Sequence, residues 1–287
     1  MSIRNKISGA SPKSLNPRLD YTVTNKKKIF DVIYKTDPIT SVNTKVILCG
    51  HHIEIYQYEK PLLINKPPKE KVKKNREPRP YDFDVFISRK EEYRERTKTR
   101  VIGQVRRLIE SNFNKDSVFL TLTFDNKNNF DITDLKICNL KFHNFMVSLK
   151  NNFKNLNLKY LAVPEFQKRG AVHYHLIINV PFIEKKIVKK LWKYGFIKLK
   201  DIYYIEGMGS YFTKYLTKNS NDPRLYGRRS FFTSKGLKKP KIKYGDFAEK
   251  IIERLNQKKI TPYFKSEYTS QFNGNVKYTR FYIKEAI

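Results

Sequence analysis

The chain has 287 residues, 39% of them hydrophobic and 14% aromatic, enough for one large domain or for one domain with long extensions. Its 59 Lys and Arg against 27 Asp and Glu leave a net charge of +32, which opposes compaction and calls for a polyanionic partner, nucleic acid first. Two cysteines, Cys49 and Cys138, exclude a disulfide framework and a thiolate zinc site; no long apolar run, lipid-anchoring tail or signal-peptide core is visible, so no membrane role and a cytoplasmic location are expected.

In chain order, Lys45 to Tyr58 alternates like a strand, and residues 61 to 80 carry five prolines among many lysines, the composition of an extended basic linker. Ser88 and Glu91 form a capping-box pattern that predicts a helix from Ser88 to about Ser111, whose many cations are read either as a solvated face or as a DNA-facing one. Ser117 to Phe124 alternates as a strand. Apolar residues at Leu135, Cys138, Phe142, Phe145, Met146, Leu149 and Phe153 recur at helical spacing within 132–153. Lys159 to Phe166 reads as a strand, joined through a short turn at Gly170 to a second strand that carries His173-Tyr174-His175, so the two form a hairpin. A helix over Ile183–Trp192, a strand over Gly195–Ile205 and a helix over Met208–Lys218 follow, then a basic and aromatic stretch to Pro240, a possible helix at Phe247–Asn256 and a strand-like end.

This order predicts an α+β fold of the split ferredoxin-like (RRM-like) kind, an antiparallel sheet with helices on one face. Three regions are expected: a basic N-terminal extension with its Pro/Lys-rich linker (1–84), the core domain (85–245) and a basic C-terminal extension (246–287).

The chemistry-bearing residues cluster in the core. On a strand, residues i and i+2 share a face, so His173 and His175 project together while Tyr174 faces away. Two imidazoles so placed are more often structural than ligating, but the hairpin brings Glu165 beside them, and two imidazoles with one carboxylate suit Mg²⁺ or Mn²⁺ held with phosphate. On the 208–218 helix, Tyr211 and Tyr215 share a face, and each is followed three residues later by a lysine, Lys214 and Lys218. A phenol is a poor nucleophile near neutral pH, and a nearby cation makes its phenolate more accessible. Beyond the helix, Arg224, Arg228, Arg229 and Lys235 interleave with Tyr226, Phe231 and Phe232, a pattern in which cations track phosphates and aromatics stack on the bases of single-stranded DNA. His51-His52 has the wrong spacing for one strand face, and His143 lies in a helical pattern; neither is read as a ligand. There is no Gly-x-x-x-x-Gly-Lys-Ser/Thr loop, so no nucleotide-hydrolysing helicase is fused here.

Over about residues 88 to 240 the chain resembles the HUH (His-hydrophobe-His) endonucleases, and within them the rolling-circle replication initiators of small phages and plasmids. Phe119-Leu-Thr-Leu-Thr-Phe124 is similar to their first motif, Glu165 with His173-Tyr174-His175 to the metal motif, and Tyr211 to Lys218 to the nucleophile motif. The resemblance implies an HUH core and site-specific nicking and rejoining of single-stranded origin DNA through a 5′-phosphotyrosine. It also implies a divalent metal on Glu165, His173 and His175, and a host helicase and polymerase as partners in a bacterial cytoplasm. Tyr215 is favoured slightly over Tyr211 as nucleophile, and a mechanism using both stays open. Lys214 and Lys218 are read either as phosphate or phenolate partners or as solvated helix charges. Two rivals stand beside this reading: a single-tyrosine transposase, and a non-catalytic DNA-binding protein on the same scaffold.

Overall fold

The structure is a computed structural model that describes residues 40–65, 83–180, 183–201, 207–218 and 222–284. The chain divides into two compact units, Met1–Ser41 with Leu63–Lys73, and Val42–Leu62 with Lys74–Ile287. The first unit falls almost wholly outside the described residues, as does most of the Pro/Lys-rich stretch; the site lies in the second.

The core of the second unit is an antiparallel five-stranded sheet made from β3 (Val118–Thr123), β4 (Tyr160–Phe166), β5 (Val172–Ile178), β6 (Ile197–Asp201) and β7 (Phe232–Thr233), in the order β6-β3-β5-β4-β7. The hairpin predicted around Gly170 is present. Gly170 sits at φ +85°, a conformation that only glycine adopts without strain, and its N–H donates to the Gln167 carbonyl at 2.8 Å. Alternation in these strands sorts side chains cleanly to two faces. Leu120, Leu122, Tyr174 and Leu176 point one way, into a core shared with α2 (Leu135–Asn152) and α3 (Lys185–Leu191). α2 buries Leu135, Cys138, Phe142, Phe145, Met146 and Leu149, the stripe expected from spacing, and Asp134 caps it by accepting from the Lys136 N–H at 2.7 Å.

Phe119, Leu161, Val163 and Ile177 point the other way, against α1 (Phe83–Asn112) and α4 (Met208–Lys218). The α+β class is as expected, but helices cover both faces of this sheet rather than one. α1 also begins at Phe83, so Ser88 lies inside it and does not cap it. The helix is amphipathic in an unusual sense. Val105 and Ile109 are fully buried against the sheet, while Arg106 and Arg107 reach Glu54 on the other side of the helix at 2.7 and 2.8 Å.

Glu54 belongs to a second antiparallel five-stranded sheet, made from β1 (Thr40–Cys49), β2 (His52–Ile64), β8 (Lys241–Tyr244), β9 (Phe264–Ser270) and β10 (Gly274–Tyr282), in the order β8-β1-β2-β10-β9. The two stretches read as N- and C-terminal extensions therefore share one sheet, with β10 pairing β2 from Val276↔Tyr58 to Tyr282↔His52. Its far face packs on α5 (Asp246–Gln257) through Ile53, Ile55, Phe281, Ala248 and Leu255. Among the described residues no helix is long and apolar enough to cross a membrane.

Candidate active site on the tyrosine helix

The strand register assembles the predicted residues. Glu165 lies directly across from His173, Val163 across from His175, and Thr121 of β3 across from His175 on the other flank. All face α4. Tyr174 faces the opposite core, stacked on Phe142 at 4.3 Å, with its hydroxyl donating to Asn139 Oδ1 at 2.6 Å.

The Glu165 carboxylate is buried and takes two partners, His175 Nε2 on one oxygen and Lys218 Nζ on the other. Burial works to raise its pKa, but the hydrogen bonds from His175 and Lys218 outweigh it and hold the group down to about 2. It is a carboxylate, an acceptor only, so His175 Nε2 carries the proton here and Nδ1 accepts from the Thr121 hydroxyl at 3.2 Å. Lys218 reaches this pair from an otherwise 68% exposed side chain, so its end near Glu165 remains within reach of solvent and substrate.

His173 behaves differently. Burial first, then the neighbouring His175 and more distant cations, lowers its pKa to about 4, so it is a neutral imidazole near neutral pH. Its Nε2 is buried with no hydrogen-bond partner. A buried ring nitrogen left unsatisfied beside a carboxylate and a second imidazole fits a metal ligand. The donor set present therefore fits a divalent cation. The three donors do not yet form a closed cage: the two imidazole centroids are 6.4 Å apart. Among the described residues, Cys49, Glu54 and Glu110 are the group whose ligand atoms all lie within 4.8 Å of one another. That cluster already faces the guanidinium groups of Arg106, Arg107 and Arg280, and burial pushes the Cys49 thiol up to about 12, so it is a neutralised ion network and not a cation site.

The tyrosines arrive from above. Tyr215 stacks on the His175 ring at 3.7 Å, and its hydroxyl donates to that of Tyr211 at 3.3 Å, so both phenol oxygens meet at one place beside the imidazoles. Burial, then the bond to Tyr211, pushes the Tyr215 phenol above its ordinary value. Phe119 forms the floor, with its ring 5.8 Å from His175 and from Tyr215 and 6.0 Å from Tyr211. Lys214 and Lys200 flank the Tyr211 ring at 5.6 and 5.3 Å.

The predicted DNA-facing cations separate. Arg228, Arg229 and Lys235 are exposed. Arg224 is engaged within the protein: it pairs with Asp222, donates to the Gly170 carbonyl at 2.7 Å and lies 3.7 Å over the Phe166 ring, so it clamps the β4–β5 turn. Two contributors were not singled out from the sequence, Thr121 and Lys200. A threonine in an alternating strand carries no local mark of its partner, and Lys200 is one of many lysines.

Fold and site together define an α+β protein with two tyrosines set over a His–carboxylate centre on a strongly basic chain. Residues 117–220, from the start of β3 to just past α4, match the model of a replication-associated protein family, that of ORF2 and the phage gene II protein, which supports a role in DNA replication. No curated protein and no solved structure matches the chain.

Proposed function

We propose that this chain is a metal-dependent HUH endonuclease that nicks and rejoins single-stranded origin DNA and so initiates rolling-circle replication of a phage or plasmid. The observation that carries the reading is the convergence of Glu165, His175, Lys218 and the two tyrosine hydroxyls, with the unsatisfied His173 Nε2 beside them. Glu165, His173 and His175 would hold Mg²⁺ or Mn²⁺, which supplies positive charge for the nonbridging phosphate oxygens.

The chain's own residues do the rest. Tyr215, held on the His175 ring, is the first nucleophile. Its phenol oxygen attacks phosphorus, the P–O3′ bond breaks, and the leaving 3′ oxygen takes up a proton. The products are a 5′-phosphotyrosine ester and a free 3′-OH for a polymerase. Since the ester keeps the bond energy, attack by a 3′-OH reverses the step without a nucleotide cofactor. Tyr211, within hydrogen-bond reach of Tyr215, is placed to accept a proton or to act in the second strand transfer. Lys218 stabilises the attacking phenolate or a phosphate oxygen when it leaves Glu165.

The test uses labelled single-stranded oligonucleotides tiled over the replicon that encodes the chain, with Mg²⁺ or Mn²⁺. A covalent protein–DNA adduct is expected, and it should disappear with Tyr211→Phe plus Tyr215→Phe. An adduct that survives the double substitution would refute the mechanism. Binding without any adduct, unaffected by His173→Ala, would favour the non-catalytic reading.

A further inference from the structure

Beside Tyr215 the structure holds a cleft of about 440 Å³ that the chemistry above does not use. It lies between the N-terminal half of α1, α4 and the loop after α4. Its volume is in the range of small-ligand sites, about 300–1,000 Å³. The floor is apolar, made of Val101, Ile102, Val163 and Leu216. The rim carries Tyr93, Arg94, Lys98, Tyr226 and Arg228, and no carboxylate lines the cleft. Arg94 lies 4.1 Å over the Tyr226 ring, while Tyr93 is 71% exposed.

We propose that this cleft is a subsite for one unpaired nucleobase of the single-stranded substrate, adjacent to the phosphate presented to Tyr215. The proposal rests on the function given above and names where that substrate's neighbouring base goes. Three observations choose this occupant. The cleft opens on the Tyr215 side chain itself, so a chain threaded past the tyrosine reaches it with its next unit. An apolar floor with aromatic and guanidinium planes at the rim suits a flat π-face, and stacking on such planes tolerates any base. Arg94, Lys98 and Arg228 supply only positive charge around that floor, matching the phosphates on either side of the base. An acidic peptide would use the cations but leave the stacking planes idle.

The test is a binding measurement on the full chain without divalent ions. The probes are a labelled oligothymidylate about 20 nucleotides long and an abasic deoxyribose-phosphate chain of the same length and charge. The wild-type chain should prefer the thymidylate by about tenfold, the effect of stacking one base. Tyr93→Ala with Tyr226→Ala should reduce that ratio to about threefold or less. Thr97→Leu, which takes up cleft space with a good helix former, should do the same without removing an aromatic. Far-ultraviolet circular dichroism of each variant checks that it is folded. The proposal is overturned if the wild type shows no preference for bases, or if both folded variants keep it. No cleavage occurs in this assay, so its failure is separate from failure of the adduct test: cleavage can proceed without this subsite, and bases can bind here without cleavage.

Discussion

Thr121 decides how His175 meets its partners. Its hydroxyl fixes Nδ1 at 3.2 Å, leaving Nε2 to face Glu165. For Nε2 to serve a cation, its proton must move to Nδ1, and Thr121 is then the acceptor that holds it. Partners of this outer kind tune metal affinity by about 10–100-fold. Thr121→Val keeps shape and strand propensity but removes that acceptor, so Mn²⁺ affinity, read by calorimetry or by the loss of free Mn²⁺ signal, is expected to fall by about tenfold or more. Unchanged affinity would mean that His175 is not a ligand through Nε2. At this scale the sequence revealed much. The period of two placed His173 and His175 on one face, and a hairpin of this length could only bring Glu165 alongside. It could not reveal that Lys218, on a helix 53 residues away, closes on the same carboxylate, because nothing local records that contact.

The element that aims the tyrosines is α4, and its position depends on Gly209. A Cβ there would come within 2.8 Å of Arg106 Cγ and 3.0 Å of both the Arg106 carbonyl oxygen and Glu110 Oε1. The two helices cross where only hydrogen fits. Gly209→Val should therefore push α4 away from α1, cost about 1–3 kcal/mol in urea unfolding and lower the rate of adduct formation by displacing both hydroxyls. A stable variant with a wild-type rate would show that α4 is not held in place by this crossing. α4 and α2 were legible from their apolar spacing. α1 was legible in its body but not in its beginning or its placement. A Ser-x-x-Glu pattern arises inside helices as readily as at their starts, and Arg106, Arg107 and Glu110 look like solvent-facing charges in the sequence. Their partners come from another sheet, so the sequence showed one buried face of α1 where the structure has two.

At the scale of the whole molecule, that hidden face joins the two sheets. Glu54 is fully buried and shared by Arg106 and Arg107, and Glu110 pairs with Arg280 of β10 at 2.6 Å. β2 and β10 alternate well enough to be read as strands, yet pairing between segments separated by most of the chain leaves no mark within either one. This is why they were read as separate extensions. Removing one member of a buried ion pair strands the other, at a cost of about 3–5 kcal/mol. Glu54→Gln leaves two guanidinium groups facing an uncharged amide, so urea unfolding near pH 7 should show a loss of about 3 kcal/mol or more. The pH dependence gives the sign check. Burial alone would raise the Glu54 pKa, but Arg106 and Arg107 outweigh it and hold the group below its ordinary value of 4.5. A carboxylate depressed on folding contributes its stability in full above the unfolded value, and that contribution is lost as the pH falls through the folded value. Glutamine cannot take up the proton. The gap between wild type and Glu54→Gln should therefore narrow as the solution is acidified below the ordinary carboxylate range. A gap that is absent at neutral pH, or constant into acid, would show that the sheets are held by their apolar contacts alone and that the buried charges are only tolerated.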